Sequence, residues 1–544
     1  MRGLIMDFPL TLKHILNHNE RLYGKKEVVS RTEAGVHRYT YADFQRRVRK
    51  LANVLQRLGV KKGDRVATFA WNHYQHLELY FAVPCIGAVL HTVNIRLFPD
   101  QLVYIFNHAE DKLVFVDPSL IPLLERIQDR LEHVEQYIVL GSGPVPETSL
   151  NPTLAYEELM ADASDEYEFP DLDEWDAMGL CYTSGTTGNP KGVLYTHRAI
   201  FLHSFASAMS NTLNISERDV IFPVVPMFHA NAWGLPFTAV LVGAKLVFPG
   251  PFLKPQDMAQ MIQDERVTVA AGVPTLWIGL YHALKSASYD ISSLRTMIVG
   301  GSAAPRALIE GFEKDFGVPI THAWGMTELS PLGTVANLKS YMEEWPEEER
   351  YRVRAKQGMP AAGIELRIVD DEGNPLPWDG KTMGEVQVRG PWVVSAYYND
   401  PEANEGAFTP DGWFRTGDVA TMDPEGYMEI TDRTKDLIKS GGEWISSVQL
   451  ENLLMAHPKV MEAAVIAVHH SKWQERPLAV VVPVPEHKEE ITKEELIEFL
   501  RPQVASWWLP DDIVFVDELP KTSVGKFDKK VLRDQYREYR LPTE

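Results

Sequence analysis

The sequence predicts an α/β fold in two unequal parts. A large N-terminal domain holds several subdomains with parallel sheets and a β subdomain, and a small α+β C-terminal domain follows. Three observations predict this. The chain has 544 residues, more than one hydrophobic core usually serves. Short apolar runs alternate with segments of helical periodicity as far as residue 300, the pattern of a parallel sheet covered by helices. Beyond Gly363 the texture turns to short alternating strands, and Thr431-Asp-Arg-Thr-Lys-Asp436 marks a boundary. The roughly 110 residues after it carry a β and α pattern of their own, which is ordinary domain size. The domains are expected at 1–432 and 433–544.

Taken in order, the spacing predicts a helix over Tyr41–Leu58, where Phe44, Val48, Leu51, Ala52 and Leu55 recur at three- and four-residue steps and Gly59 closes the run. A strand over Arg65–Ala70, a helix over His73–Ile86 and a strand over Lys112–Val116 continue the alternation. Residues 141–176, with Gly-Ser-Gly-Pro-Val-Pro and an acidic run, read as an exposed connection. Met178–Tyr182 is apolar like a buried strand, and Tyr195–Met209 has helical spacing. A second alternating unit follows: strand Val220–Val225, a helical segment through Trp233, strand Lys245–Phe248, helix Pro255–Asp264, strand Val267–Ala271, helix Thr275–Lys285 and strand Thr296–Val299. Strands Glu365–Val369 and Gly384–Arg389, with turn residues Asp371–Pro375, make up the β subdomain. No internal repeat is evident.

The formal net charge is −21, from 75 acidic against 54 basic residues. That excludes nucleic acid or an anionic membrane as a broad partner surface. An anionic substrate must be met by a local cluster of positive groups. Cys85 and Cys181 stand in apolar settings without partners at metal-ligand spacing and read as reduced core residues of a cytoplasmic protein. The N-terminus lacks the apolar run of a signal peptide, and no window approaches 18 consecutive apolar residues, so a soluble protein without an integral membrane segment is expected.

The chemistry concentrates between Tyr182 and Gly192, Tyr-Thr-Ser-Gly-Thr-Thr-Gly-Asn-Pro-Lys-Gly. Gly185, Gly188 and Gly192 allow backbone N–H groups to turn toward an anion, and Thr183, Ser184, Thr186 and Thr187 add hydroxyls. Composition alone would favour a plain polar surface loop. The strand before it and the helical spacing after it instead suggest a phosphate loop between strand and helix. The spacing is not that of the Walker loop, because Lys191 lies three residues after Gly188 and precedes Gly192.

Six further motifs follow in order: Pro226-Met-Phe-His-Ala-Asn-Ala-Trp233, Val299-Gly-Gly-Ser-Ala303, Ala323-Trp-Gly-Met-Thr-Glu328, Trp413-Phe-Arg-Thr-Gly-Asp418, Asp432-Arg-Thr-Lys-Asp-Leu-Ile-Lys-Ser-Gly-Gly-Glu-Trp444 and Pro520-Lys-Thr-Ser-Val-Gly-Lys-Phe527. With the loop at 182–192 they resemble the signatures of the adenylate-forming superfamily over residues 182–527. The superfamily includes acyl-CoA synthetases, firefly luciferase and the adenylation domains of peptide synthetases. In texture, notably Glu27–Arg31, Ala88–Thr92 and Ser440–Ser447, the chain is most similar to bacterial medium- and long-chain fatty acyl-CoA synthetases and to relatives taking short acids such as methylthiopropionate.

The resemblance implies two half-reactions. A carboxylate attacks the α-phosphorus of ATP to give acyl-AMP and pyrophosphate, and the thiol of coenzyme A then displaces AMP. A carboxylate is already ionised at neutral pH, so the first step calls for charge neutralisation and not for a base. By the resemblance, Thr183 and Glu328 place Mg2+ on the phosphates. ATP is held by Thr183, Ser184, Gly185, Thr186, Thr187, Gly188 and Lys191, by Gly301, Ser302 and Ala303, and by Ala323, Trp324, Gly325, Met326, Thr327 and Glu328. Asp418 takes both ribose hydroxyls, Arg433 assists with ribose or phosphate, and Ile430 is a further ATP-binding residue. Trp324 departs from the tyrosine usual at the adenine. Lys526 is the adenylation lysine. Lys435 is the hinge of a mobile C-terminal domain, and Lys439, Gly441, Gly442 and Trp444 line the thiol channel in the second step.

The acyl and coenzyme A pocket falls to His229, Ala230, Trp233, Gly300 and Gly301, with Lys439, Gly441, Gly442 and Trp444. Amino-acid-activating relatives carry an aspartate where His229 stands, so an amino acid is disfavoured. Small residues there suggest room for an apolar chain with Trp233 as gate. His229 reads either as a thiol base or as a packing residue. The long-chain relatives form homodimers, which the resemblance extends to this chain. Three readings stand at this point: an acid-CoA ligase, an adenylating enzyme serving a separate carrier protein, and a silent nucleotide-binding protein. Lys526, Glu328 and Asp418 together disfavour the last.

Overall fold

The computed structural model describes residues 1, 3–183, 189–441, 443–521 and 527–544. The described residues form two compact units, one of residues 1–183, 189–365 and 389–408, the other of 366–388 and 409–544.

The first unit is built on two mainly parallel sheets. In the seven-stranded sheet Arg65–Phe69 lies between Val89–Thr92 and Asp111–Val116, parallel to both. Gln136–Val139 and Thr153–Ala155 extend one side, and Ala177–Tyr182 and Gly192–Thr196 the other. The helix Tyr41–Arg57 forms where its spacing predicts. Thr40 caps it in a reciprocal pair with Asp43, and the apolar face Phe44, Val48, Leu51, Ala52 and Leu55 is entirely buried. Each of the larger side chains, Phe44, Val48, Leu51 and Leu55, contributes about 1.5–3 kcal/mol, which outweighs any helix propensity difference along the segment. The helix Tyr74–Cys85 buries every residue.

The nine-stranded sheet carries the parallel strands Lys245–Phe248, Val220–Pro223, Val269–Gly272, Thr296–Val299 and Ile320–Gly325 at its centre. Antiparallel strands Leu332–Val335 and Met359–Pro360 close one edge. Its core joins Phe222, Trp277, Met297 and Val299 to helices Pro255–Glu265, Pro274–Ser286 and Arg306–Phe316.

Three sequence expectations need correction. Residues 141–176 are not a plain connection: Thr153–Ala155 adds an edge strand and Tyr156–Ala161 a helix whose Tyr156 and Met160 are buried. The phosphate loop does not lead into a helix. Gly192–Thr196 returns antiparallel to Ala177–Tyr182, and the helix His197–Ala208 starts only after Thr196 caps it. Finally, the segment through Trp233 is a left-handed turn: Ala230, Asn231, Ala232 and Trp233 have φ of 43°, 55°, 49° and 58°.

In the second unit Glu365–Val369, Gly384–Arg389, Phe414–Met422 and Met428–Arg433 form a four-stranded sheet. The long antiparallel pair Val460–His470 and Gln474–Pro483 centres a second sheet, completed by the parallel strand Asp512–Phe515 and the hairpin Ile438–Ser440 with Glu443–Ile445. Helices Ser447–Met455 and Lys493–Leu500 cover the core around Leu450, Val465, Ala479, Leu496 and Ile513. No helix among the described residues is long and apolar enough to cross a membrane.

Candidate active site

The residues singled out by the sequence fall in both units. Ser184, Gly185, Thr186, Thr187, Gly188, Gly442 and Lys526 lie outside the described residues. In the first unit Thr183 ends the strand that enters the phosphate loop, and its backbone N–H donates to the Lys191 carbonyl at 2.9 Å. The Lys191 N–H donates back to Thr183 Oγ1 at 3.0 Å. The two ends of the loop are thus stapled to each other by these two hydrogen bonds.

Glu328 sits in a one-turn 3-10 helix, Thr327–Leu329, at the end of Ile320–Gly325. Its side chain is buried, and Tyr397 Oη donates to Glu328 Oε1 at 2.8 Å. The Lys191 ammonium lies over the Tyr397 ring, 4.9 Å from its centroid. Tyr195, on the loop's return strand, donates to the Thr327 carbonyl at 2.7 Å. The structure therefore brings Thr183, Lys191, Thr327 and Glu328 to one place, although they lie on two different sheets. Tyr397, which joins them, was not found from the sequence, since nothing in Ser395-Ala-Tyr-Tyr-Asn-Asp400 resembles a periodic or ligand pattern.

Trp324 pairs with Thr334 across the sheet edge, and its indole packs on Gly333, where a Cβ would come within 2.5 Å of the ring. Only glycine admits the ring there. Ala323 and Met326 are half-buried, Gly325 is exposed and Thr327 is buried. In the Gly-Gly-Ser-Ala motif Gly301 has φ 82°, and Ser302 and Ala303 are exposed. Below them His322 Nε2 accepts the Ala304 N–H at 3.3 Å, and Nδ1 donates to the Ala355 carbonyl at 3.1 Å. Burial lowers the His322 pKa to about 4, so it stays neutral and serves as a post between the two motifs.

In the acyl region the half-buried Trp233 stacks against Gly300, where a Cβ would lie 3.2 Å from the indole. Ala230, Asn231 and Ala232 are buried, and His229 is half-buried with its N–H on the Pro226 carbonyl. Asn72 pins this loop: its Nδ2 donates to the Pro223 and Val225 carbonyls at 2.9 Å, and its Oδ1 accepts the Met227 N–H at 2.7 Å. Asn72 too was invisible from sequence, lying far from the loop it holds. Cys181 is buried beside Thr92, and burial pushes its thiol up to about 11, in keeping with an inert core thiol.

In the second unit Asp418 and Arg433 face each other across adjacent strands, with Arg433 Nε on Asp418 Oδ1 at 2.7 Å. Asp418 is buried and Arg433 is 46% exposed at its side chain. Ile430 lies on the same strand, opposite Ala420. Lys435 is exposed just beyond it. Lys439 faces Trp444 across the hairpin, its ammonium 5.9 Å from the indole. Gly441, at φ 60°, donates its N–H to the Trp473 carbonyl at 2.8 Å, and a Cβ there would lie 2.9 Å from the Trp473 ring. Trp473 is a third neighbour that the sequence did not single out.

No group of three or more His, Cys, Asp or Glu side chains among the described residues could hold a metal by itself. Glu328 fits Mg2+ nonetheless, because that ion is usually held by one or two carboxylates together with substrate phosphates and water. A buried carboxylate fixed by a phenol suits such a ligand.

The model of the AMP-binding enzyme family matches residues 16–398, and that of the AMP-binding enzyme C-terminal domain matches residues 449–526. The chain is 52% identical over 537 residues to a long-chain-fatty-acid–CoA ligase of Thermus thermophilus, covering 98% of this chain and 97% of that one. It is 46% identical to a medium-chain-fatty-acid–CoA ligase of Ectopseudomonas oleovorans, covering 98% of each. It is also 46% identical to a 3-methylmercaptopropionyl-CoA ligase of Ruegeria lacuscaerulensis, covering 99% of each. The fold is similar to that of the anthranilate CoA ligase AuaEII in complex with anthranoyl-AMP, with a TM-score of 0.85, 26% identity and 98% of each chain covered.

Proposed function

The chain belongs to the AMP-binding enzyme family and is an ATP-dependent, AMP-forming acyl-CoA ligase; on that premise we propose that its acid is a medium- to long-chain fatty acid. The observation that carries this is the Trp233 indole seated on Gly300 above a buried, carboxylate-free turn of Ala230, Asn231 and Ala232. Such a wall offers apolar contact and no partner for a substrate ammonium. The relatives named for long- and medium-chain acids support the same class.

In the first half-reaction the ionised acid attacks the α-phosphorus of ATP, the bond to the pyrophosphate breaks, and acyl-AMP forms. Bound Mg2+ supplies charge neutralisation to the phosphates, with Glu328 and Thr183 as its protein ligands. Lys191 meets the phosphates from the hairpin, Asp418 and Arg433 fix the ribose, and Lys526 bridges the acid and the α-phosphate. These groups orient two anions against their mutual repulsion, which is the main barrier. In the second half-reaction the thiol sulfur attacks the acyl carbon and AMP leaves. Rotation about Lys435 exchanges Lys526 for the face of Lys439, Gly441, Gly442 and Trp444, so that residues 433–544 are the mobile domain. The enzyme works as a soluble homodimer in the cytoplasm.

A short acid is the second reading, favoured by the likeness to the 3-methylmercaptopropionyl-CoA ligase. The two are separated by coenzyme-A-dependent pyrophosphate release over acids from acetate to palmitate plus methylthiopropionate. On the fatty-acid reading kcat/KM rises about fourfold per methylene until the tunnel is full, since each buried methylene contributes about 0.8 kcal/mol. An optimum at methylthiopropionate, with octanoate and palmitate poor, would replace it. A single burst indifferent to coenzyme A would point to a carrier protein as acceptor.

A further inference from the structure

The segment from Trp392 to Tyr398 ties the turn that carries Glu328 to the strand that begins at Gly192. On one side the Val394 N–H donates to the Glu328 carbonyl at 2.8 Å, and Ser330 Oγ donates to the Trp392 carbonyl at 2.8 Å. On the other the Tyr398 N–H donates to the Gly192 carbonyl at 2.8 Å, next to Lys191. Between these anchors Tyr397 is 7% exposed, and its N–H is held by Asn404 Oδ1 at 2.7 Å. Its two functional parts face two different charges. The phenol donates to the Glu328 carboxylate at 2.8 Å, and the ring face receives the Lys191 ammonium at 4.9 Å.

We infer that Tyr397 is a positioning residue for adenylation: its hydroxyl sets the Glu328 carboxylate for the metal, and its ring holds the Lys191 ammonium at the mouth of the phosphate loop. A carboxylate and an ammonium in direct contact neutralise one another and present less charge to an incoming metal-nucleotide complex. A ring between them attracts the cation by its face and the anion by its hydroxyl, so both are kept separate and oriented. Tyr397 touches no reacting atom in this scheme. It acts through Glu328 and Lys191, and the inference rests on reading those two as the metal and phosphate groups.

The test is calorimetric affinity for ATP with Mg2+ and with EDTA, in the wild type, Tyr397→Phe and Glu328→Gln. Losing one hydrogen bond to a charged group should weaken binding of Mg2+-ATP about tenfold in Tyr397→Phe and leave metal-free ATP within about twofold. Adenylation should then need a correspondingly higher Mg2+ concentration, while thioester formation from supplied acyl-AMP keeps its rate. Equal weakening with and without Mg2+, or no change in either, would overturn the role of the hydroxyl. If Glu328→Gln itself leaves the Mg2+ dependence intact, the reading of Glu328 fails, and Tyr397 with it. If only Tyr397→Phe is silent, the inference alone fails. A Tyr397→Phe protein that melts early is replaced by Tyr397→Trp, which keeps a ring face and loses the phenol, with the same Mg2+-specific tenfold shift expected.

Discussion

The two units hold their chemical groups in opposite ways. In the first, Trp324, Thr327 and Glu328 are 8%, 8% and 6% exposed, and each is locked by neighbours from another strand or loop. In the second, Asp418 is buried, but Arg433 stands exposed at a strand end, Lys435 in the turn after it and Lys439 in a three-residue strand of a hairpin. A group wanted in one fixed place can be buried and hydrogen-bonded in advance, which lowers the cost of ordering it at reaction. On the proposed reading, a group used in one half-reaction only must be able to leave, and an exposed side chain is less costly to move than a buried one. Preorganisation is, on that reading, concentrated where the nucleotide's phosphates would be read.

The comparison can be tested from its strongest consequence downward. Glu328→Gln should lower the rate of acyl-AMP formation about 10²–10³-fold, the usual effect of losing one electrostatic stabiliser. A loss under tenfold, measured by single-turnover pyrophosphate release, would break the contrast at its preset end. Asp418→Ala should raise the KM for ATP about 10–100-fold, the loss of hydrogen bonds to a charged group. If kcat falls with KM unchanged, Asp418 does not bind the ribose in the ground state. Trp233→Ala removes the indole from Gly300 and should lengthen the preferred acid, with the gain per methylene again about fourfold. An unchanged acid profile would remove Trp233 from the gate.

The smallest effect concerns a buried network in the second unit, where Lys529 Nζ lies 2.7 Å from Glu451 and 2.6 Å from Ser447 Oγ, and Asp432 accepts from Ser447. Burial pushes the Glu451 carboxyl up to about 7, against the pull of Lys529. A raised carboxyl pKa contributes stability that is complete below its ordinary value of 4.5 and is lost as pH rises through about 7. The melting temperature of the wild type relative to Glu451→Gln should therefore be greater at pH 5 than at pH 8, by a few degrees. A difference independent of pH would show that Glu451 keeps an ordinary pKa.

Much of the fold could be read from the sequence because burial imposes periodicity. The face Phe44, Val48, Leu51, Ala52 and Leu55 and the strands Lys245–Phe248 and Thr296–Val299 form where the pattern puts them. The hairpin at the phosphate loop was hidden because Gly192–Thr196 runs without a break into the helix at His197, and local pattern does not reveal a strand's partner. The left-handed turn at Ala230–Trp233 runs against local preference, costing about 1–2 kcal/mol per residue, so no propensity argument finds it. Tyr397 and Asn72 act over 69 and 155 residues of chain, by polar contacts that leave no period. The motifs name candidate groups; they carry no trace of side chains such as Tyr397 and Asn72 that hold those candidates still.

The most direct test of the account is Lys526→Ala assayed separately in the two half-reactions. Acyl-AMP formation should fall at least about 10²-fold, with coenzyme A thioester formation from supplied acyl-AMP staying within about threefold of wild type. Equal loss in both steps would contradict a division of labour between fixed and exchangeable groups.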